Sequence, residues 1–251
     1  MSETKSTPSL ESTLKSLDTE EFIDIHFYRP IGYQWALFFN KLGVSPNSIT
    51  IASIFIGIAA GICFYFQSLA INVIGMLLLI WANSYDSADG QLARMTGQKS
   101  ALGRILDGAA GDFWFIAIYA AICLRLTPEW GIWIWLLAAT TGFFHSKQAA
   151  MADYYRNIHL LFLKGKSGSE LSHSPQLKEN YKTVSYTHLT LPLMKYTNML
   201  SFNTRVIALF VSLFIDMPWL YFVFELTVLN SMLLYMIKKH EHICEDFSKQ
   251  L

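Results

Sequence analysis

The chain has 251 residues, of which 53% are hydrophobic and only 15% charged, with 19 basic side chains against 19 acidic. That apolar surplus exceeds what one soluble core buries and falls in long blocks, so the composition points to a membrane protein. Zero formal net charge excludes a chain-wide basic field for nucleic acid, and Cys63, Cys123 and Cys244 fit neither a disulfide framework nor a zinc spacing.

Residues 1–18 are polar and acidic, with no basic stretch leading into an apolar run; they read as a disordered cytoplasmic tail rather than a signal peptide. Over 19–43, Phe22, Ile25, Ile31, Trp35, Phe38 and Leu42 recur at roughly helical spacing among charged residues. This predicts an amphipathic helix in the membrane interface, kinked or divided at Pro30. The spans follow over 44–240. Ile49–Phe66 and Ser68–Tyr85 each hold eighteen uncharged residues, about one bilayer crossing. A third block runs from about Ala101 to Leu124 and carries Asp107 and Asp112. A fourth starts near Trp130 and extends into a segment bearing His145, Lys147, Asp153 and Arg156. Residues 163–195 are rich in Ser and Gly and read as a cytoplasmic loop. Arg205–Ile237 is too long for one crossing, and Asp216-Met217-Pro218 marks a turn within it, so two spans are expected there, the first starting near Met199. Residues 241–251 read as a cytoplasmic tail.

On this arrangement eighteen of the nineteen Lys and Arg lie on one face and Arg125 alone on the other. The positive-inside rule makes that face cytoplasmic. The expected fold is all-α and integral to the inner membrane, with six transmembrane helices, an N-terminal interfacial helix and both termini in the cytoplasm.

The second apolar span ends in Asn83-Ser84-Tyr85-Asp86-Ser87-Ala88-Asp89-Gly90-Gln91-Leu92-Ala93-Arg94, followed by Gly103, Asp107 and Asp112. Carboxylates three apart share one helix face. An acid inside an apolar helix marks a functional site, because an isolated charge at membrane depth is costly. Carboxylates from two helices make an oxygen-rich site suited to Mg²⁺ or Mn²⁺, ions that usually arrive with phosphate groups. The small residues Gly90, Ala93 and Gly103 leave room for a phosphate or nucleotide against the backbone, and Arg94 offers a fork to phosphate oxygens.

These residues resemble the signature of the CDP-alcohol phosphatidyltransferase family, D-x2-D-G-x2-A-R-x8-G-x3-D-x3-D. Asp86, Asp89, Gly90, Ala93, Arg94, Gly103 and Asp107 match it in identity and spacing. The likeness extends to the six spans, the interfacial helix and the stretch Pro46-Asn47-Ser48-Ile49-Thr50. It implies an enzyme of phospholipid biosynthesis that moves a phospho-alcohol from a CDP-linked donor to an acceptor hydroxyl and releases CMP. By the same resemblance, two divalent ions sit on the aspartates, the fourth aspartate is the base, and the protein is a homodimer among membrane lipids.

The signature's fourth aspartate should be at 111, which is Gly111; Asp112 is one residue late. Four residues on from Asp107 is about 40° around a helix, five on about 140°. A π-bulge in Gly108–Gly111 would return Asp112 to the site as a fourth metal ligand. Otherwise Asp112 is displaced and a group such as His145 takes the proton, or the site binds a nucleotide and catalyses poorly. Asn47, Lys147 and Arg156 are candidate substrate contacts, although Arg156 is also placed to pair with Asp153 one helical turn away. His240, His242 and Cys244 read as part of a charged tail, and Glu225 as lining a polar cavity or a dimer contact. The favoured donor is CDP-diacylglycerol, with inositol, inositol phosphate or a similar polar alcohol as acceptor. The alternatives are a CDP-ethanolamine or CDP-choline phosphotransferase acting on diacylglycerol or ceramide, and a non-catalytic membrane scaffold or lipid-binding protein.

Overall fold

A computed structural model describes residues 9–13, 19–98, 100–164 and 181–249. Among them every regular element is helical, and the chain is an all-α integral membrane protein. It divides into two compact units, Met1–Trp135 and Leu136–Leu251.

In the first unit a π-helical turn, Asp24–Tyr28, runs directly into α1, Arg29–Lys41. Pro30 lies at this junction: it has no N–H for the carbonyl four residues back, and the wider turn absorbs the missing bond without breaking the helix. Helix α1 turns Gly32 and Ala36 inward and leaves Phe38 exposed, as an interfacial helix requires. The stretch 1–18 lies mostly outside the described residues, though Glu11–Thr13 forms a 3-10 turn.

Ser45 then caps α2, Pro46–Cys63, its hydroxyl accepting from the Ser48 amide at 3.2 Å. Helix α3, Leu69–Thr96, ends where Gly97 adopts the left-handed conformation (φ 72°) that a side chain would resist. Its 28 residues span about 42 Å, against a hydrocarbon core of roughly 30 Å, so its last turns reach beyond the apolar zone. Ser100 caps α4, Ala101–Trp130, accepting from the Gly103 amide at 2.9 Å. Small residues let these helices approach closely, as lipid-embedded helices favour. A Cβ on Gly57 would stand 2.1 Å from the Trp114 ring, and one on Gly61 would meet the α4 backbone at 2.9 Å.

Helix α5, Ile132–Lys164, passes into the second unit. Then come α6, Tyr181–Met199; α7, Phe202–Phe214; α8, Trp219–Phe224; a π-turn, Glu225–Leu229; and α9, Asn230–Lys249. Leu193, Met194, Leu200, Leu229, Leu233 and Met236 form much of this unit's core.

Several sequence expectations change. Among the described residues, five helical stretches are long and apolar enough to cross a bilayer. The remaining expected crossing falls on α5, which is 33 residues long but turns polar after Phe144. The loop read over 163–195 carries helix α6 from Tyr181, and the apolar stretch expected from Met199 begins at His188. Residues 165–180 of that loop lie outside the described residues. Arg205, counted with the loop's cations, is buried inside α7. The turn at 216–218 is present, with Asp216 at φ 58°. Past residue 240 the chain continues as α9, and Ile243 is buried.

Candidate active site

Asp86 and Asp89 share a face near the end of α3, and Asp107 comes from the second turn of α4. One carboxylate oxygen from each lies within 4.8 Å of the other two. Asp89 is buried, Asp86 half-buried and Asp107 exposed, so the group opens along the α4 side. Three negative charges this close repel one another unless a cation sits among them. An all-oxygen carboxylate set is what hard divalent ions take, so the residues fit Mg²⁺ or Mn²⁺. Thr50, from α2, donates its hydroxyl to Asp89 Oδ2 at 2.5 Å.

Asp112 stands apart from this group. Helix α4 is regular through 108–112, so the expected π-bulge is not formed, and Asp112 sits about 140° around the helix from Asp107. Its side chain is exposed, and the carboxylate group contains Asp86, Asp89 and Asp107 without it. As a metal ligand, Asp112 is therefore corrected.

The glycines and Arg94 do more than leave space. A Cβ on Gly90 would lie 3.3 Å from Arg94 Nη1, and one on Gly103 would press within 2.6 Å of Asn47 Oδ1. Gly103 thus makes room for Asn47, whose amide lies 3.4 Å from Ser100 Oγ. Ala93 is half-buried between them in sequence and adds no bulk. Arg94 donates Nε to the Thr13 carbonyl at 2.5 Å, while its Nη2 is buried with no hydrogen-bond partner among the described residues. Beside the motif, Arg29 pairs with Glu20 at 2.6 Å and donates to Ser87 Oγ at 3.3 Å, and Gln91 donates to the Arg29 carbonyl at 3.1 Å. These bonds fasten α1 across the motif turn. Gly32 permits the approach, since a Cβ there would stand 2.8 Å from Ser87 Oγ.

The other candidates lie in the second unit. His145 Nδ1 is 3.2 Å from Glu225 Oε2 and 3.0 Å from Arg205 Nη1. Arg205 also contacts Glu225 Oε2 at 2.9 Å, and Tyr221 donates to the other Glu225 oxygen. Glu225 is therefore the centre of an internal ion pair rather than the lining of a polar cavity. Lys147 is exposed and lies over the Phe143 ring at 5.5 Å. Arg156 is 3.6 Å from Asp153 and donates to the Thr197 carbonyl at 3.3 Å, with Nε buried and unpartnered among the described residues. His240 packs against the Tyr155 ring at 4.6 Å, as part of a helix rather than a solvated tail.

Sequence reasoning missed Thr50 and Arg205. Both are polar groups inside apolar runs, which was the available signal; their partners lie 39 and 20 residues away in the chain (Asp89 and Glu225), and spacing did not supply those.

A profile of the CDP-alcohol phosphatidyltransferase family matches residues 43–160. An uncharacterized protein from Aquifex aeolicus is 31% identical over 119 residues, covering 46% of this chain and 59% of that protein. An archaetidylinositol phosphate synthase from Pyrococcus horikoshii is 33% identical over 92 residues, 37% of this chain and 47% of the relative. The chain thus spans about half the length of these curated relatives.

Proposed function

The chain belongs, through residues 43–160, to the CDP-alcohol phosphatidyltransferase family, and on that premise we propose that it is a divalent-metal-dependent phosphotransferase of phospholipid biosynthesis. CDP-diacylglycerol is the donor and inositol, inositol phosphate or a similar polar alcohol the acceptor. The acceptor oxygen attacks the lipid-bearing phosphorus, the bond from that phosphorus to CMP breaks, CMP departs, and the hydroxyl proton passes to a base. The observation that carries this reading is the convergence of Asp86, Asp89 and Asp107 within 4.8 Å. The similarity to an archaetidylinositol phosphate synthase supports the inositol phosphate side of it.

Asp86, Asp89 and Asp107 would hold Mg²⁺ or Mn²⁺, two ions by the family resemblance. When bound, such ions neutralise charge on a diphosphate and ease departure of its leaving group. Arg94 is assigned to a phosphate oxygen through Nη2, which has no protein partner among the described residues. Gly90, Ala93 and Gly103 keep bulk away from the nucleotide. With Asp112 turned away from the carboxylate group, His145 is the side chain proposed for the hydroxyl proton. Lys147, Arg156 and Asn47 are assigned to substrate. Residues 44–240 form the catalytic domain and 19–43 lie along the inner leaflet. The site faces the cytoplasm, and the protein is a homodimer.

The test is CMP release by the full-length chain in lipid–detergent micelles, with each CDP donor, each acceptor, and Mg²⁺, Mn²⁺ or EDTA. Release from CDP-diacylglycerol only with metal and a polar alcohol is expected, and Asp107→Asn should abolish it. Release from CDP-ethanolamine or CDP-choline onto diacylglycerol or ceramide would reverse the donor assignment. No release under any condition from folded protein would favour a non-catalytic scaffold.

A further inference from the structure

We infer that the first turn of α2 is a bracket that sets the spacing of the carboxylate centre, with Thr50 and Asn47 as its positioning residues; this rests on the metal-dependent reading above. Thr50 is 2% exposed and Asp89 4%. A threonine within a helix ordinarily turns its hydroxyl back to the carbonyl four residues earlier. Here that bond, to Pro46, is 3.2 Å long, whereas the contact across to Asp89 Oδ2 on α3 is 2.5 Å. A hydroxyl has one proton, so the shorter contact takes it and fixes the rotation of the Asp89 carboxylate. Thr50 is also β-branched, which stiffens its own χ1.

Asn47 lies three residues earlier, on the same helix face. Its amide is 3.4 Å from Ser100 Oγ, and Ser100 in turn caps the first turn of α4 through the Gly103 amide at 2.9 Å. Gly103 is what lets Asn47 seat there. One turn of α2 therefore holds an aspartate on α3 with one residue and the start of α4, which carries Asp107, with another. The gap between Asp89 and Asp107 is set from a third helix that contributes no carboxylate.

The experiment is a Mn²⁺ titration of the full-length chain in detergent, reading free Mn²⁺ by electron paramagnetic resonance, alongside the metal dependence of CMP release. Thr50→Val keeps the shape and removes the hydroxyl. It should weaken Mn²⁺ binding by about 10–100-fold, the range for losing a hydrogen bond that orients a metal ligand. Thr50→Ser should restore most of the affinity, and Asn47→Ala should weaken it in the same direction. Wild-type Mn²⁺ affinity in Thr50→Val, or in Asn47→Ala should Thr50→Val not fold, would overturn the bracket. A wild-type chain that takes up no Mn²⁺, or an Asp89→Asn variant that takes up as much as wild type, would instead overturn the metal-dependent reading itself.

Discussion

Moving an acidic residue from position 111 to 112 rotates it about 100° around α4, and the regular helix passes that rotation on undiminished. The three remaining carboxylates therefore carry the cation set. Asp112→Asn should leave Mn²⁺ affinity within about twofold of wild type. Asp107→Asn should cost more than the ~100-fold upper range for losing a group that only supports a metal ligand. The same titration checks both, and equal losses would return Asp112 to the metal set. Arg125 shows another limit of reading residues singly. In sequence it is the one cation on the outer face; in the structure it donates to the Phe66 carbonyl at 3.1 Å and the Phe64 carbonyl at 3.4 Å, closing the end of α2. The charge pattern predicts a side of the membrane for it but not its task, because its acceptors are backbone groups some 60 residues away.

At the level of elements, the long apolar helices and the acidic motif were legible because each is written locally, in a run or a spacing. Helix α6 was not: its first half is polar and lies next to a Ser- and Gly-rich stretch, so its composition reads as loop. The break between α6 and α7 was equally hidden. There Arg205 donates to the Leu200 carbonyl at 3.2 Å and to Gln148 at 2.8 Å, satisfying backbone that the interrupted helix leaves open. Arg205 and Glu225 are 2% and 1% exposed as side chains. Glu225→Gln leaves the guanidinium buried without its counter-charge and should cost about 3–5 kcal/mol, whereas Arg205→Met with Glu225→Leu together should recover most of that loss. Thermal melting in detergent reads the difference, and a single variant as stable as wild type would refute the pairing. In the first unit Gly57→Ala drives a methyl against the buried Trp114 and should cost about 1–3 kcal/mol in the same assay.

For the molecule as a whole, composition and charge asymmetry were enough for an all-helical membrane protein, while the number of crossings depends on α5, whose apolar run is short. The positive-inside distribution predicts both termini on the cytoplasmic side. Single cysteines added at Ser2 and Gln250 of a Cys63→Ala/Cys123→Ala/Cys244→Ala chain should react with an impermeant maleimide only from that side; labelling from opposite sides would imply an odd number of spans.

Two of the clustered carboxylates ride on α3 and the third on α4, on either side of the left-handed turn at Gly97. An ion gripped by all three would staple neighbouring helices as well as serve chemistry. At a hundred times its dissociation constant, a ligand that binds only the folded form adds about 2.7 kcal/mol of stability. Starving a cell of that ion would then cost it protein as well as turnover, because supply of the cofactor and survival of the fold would be one equilibrium.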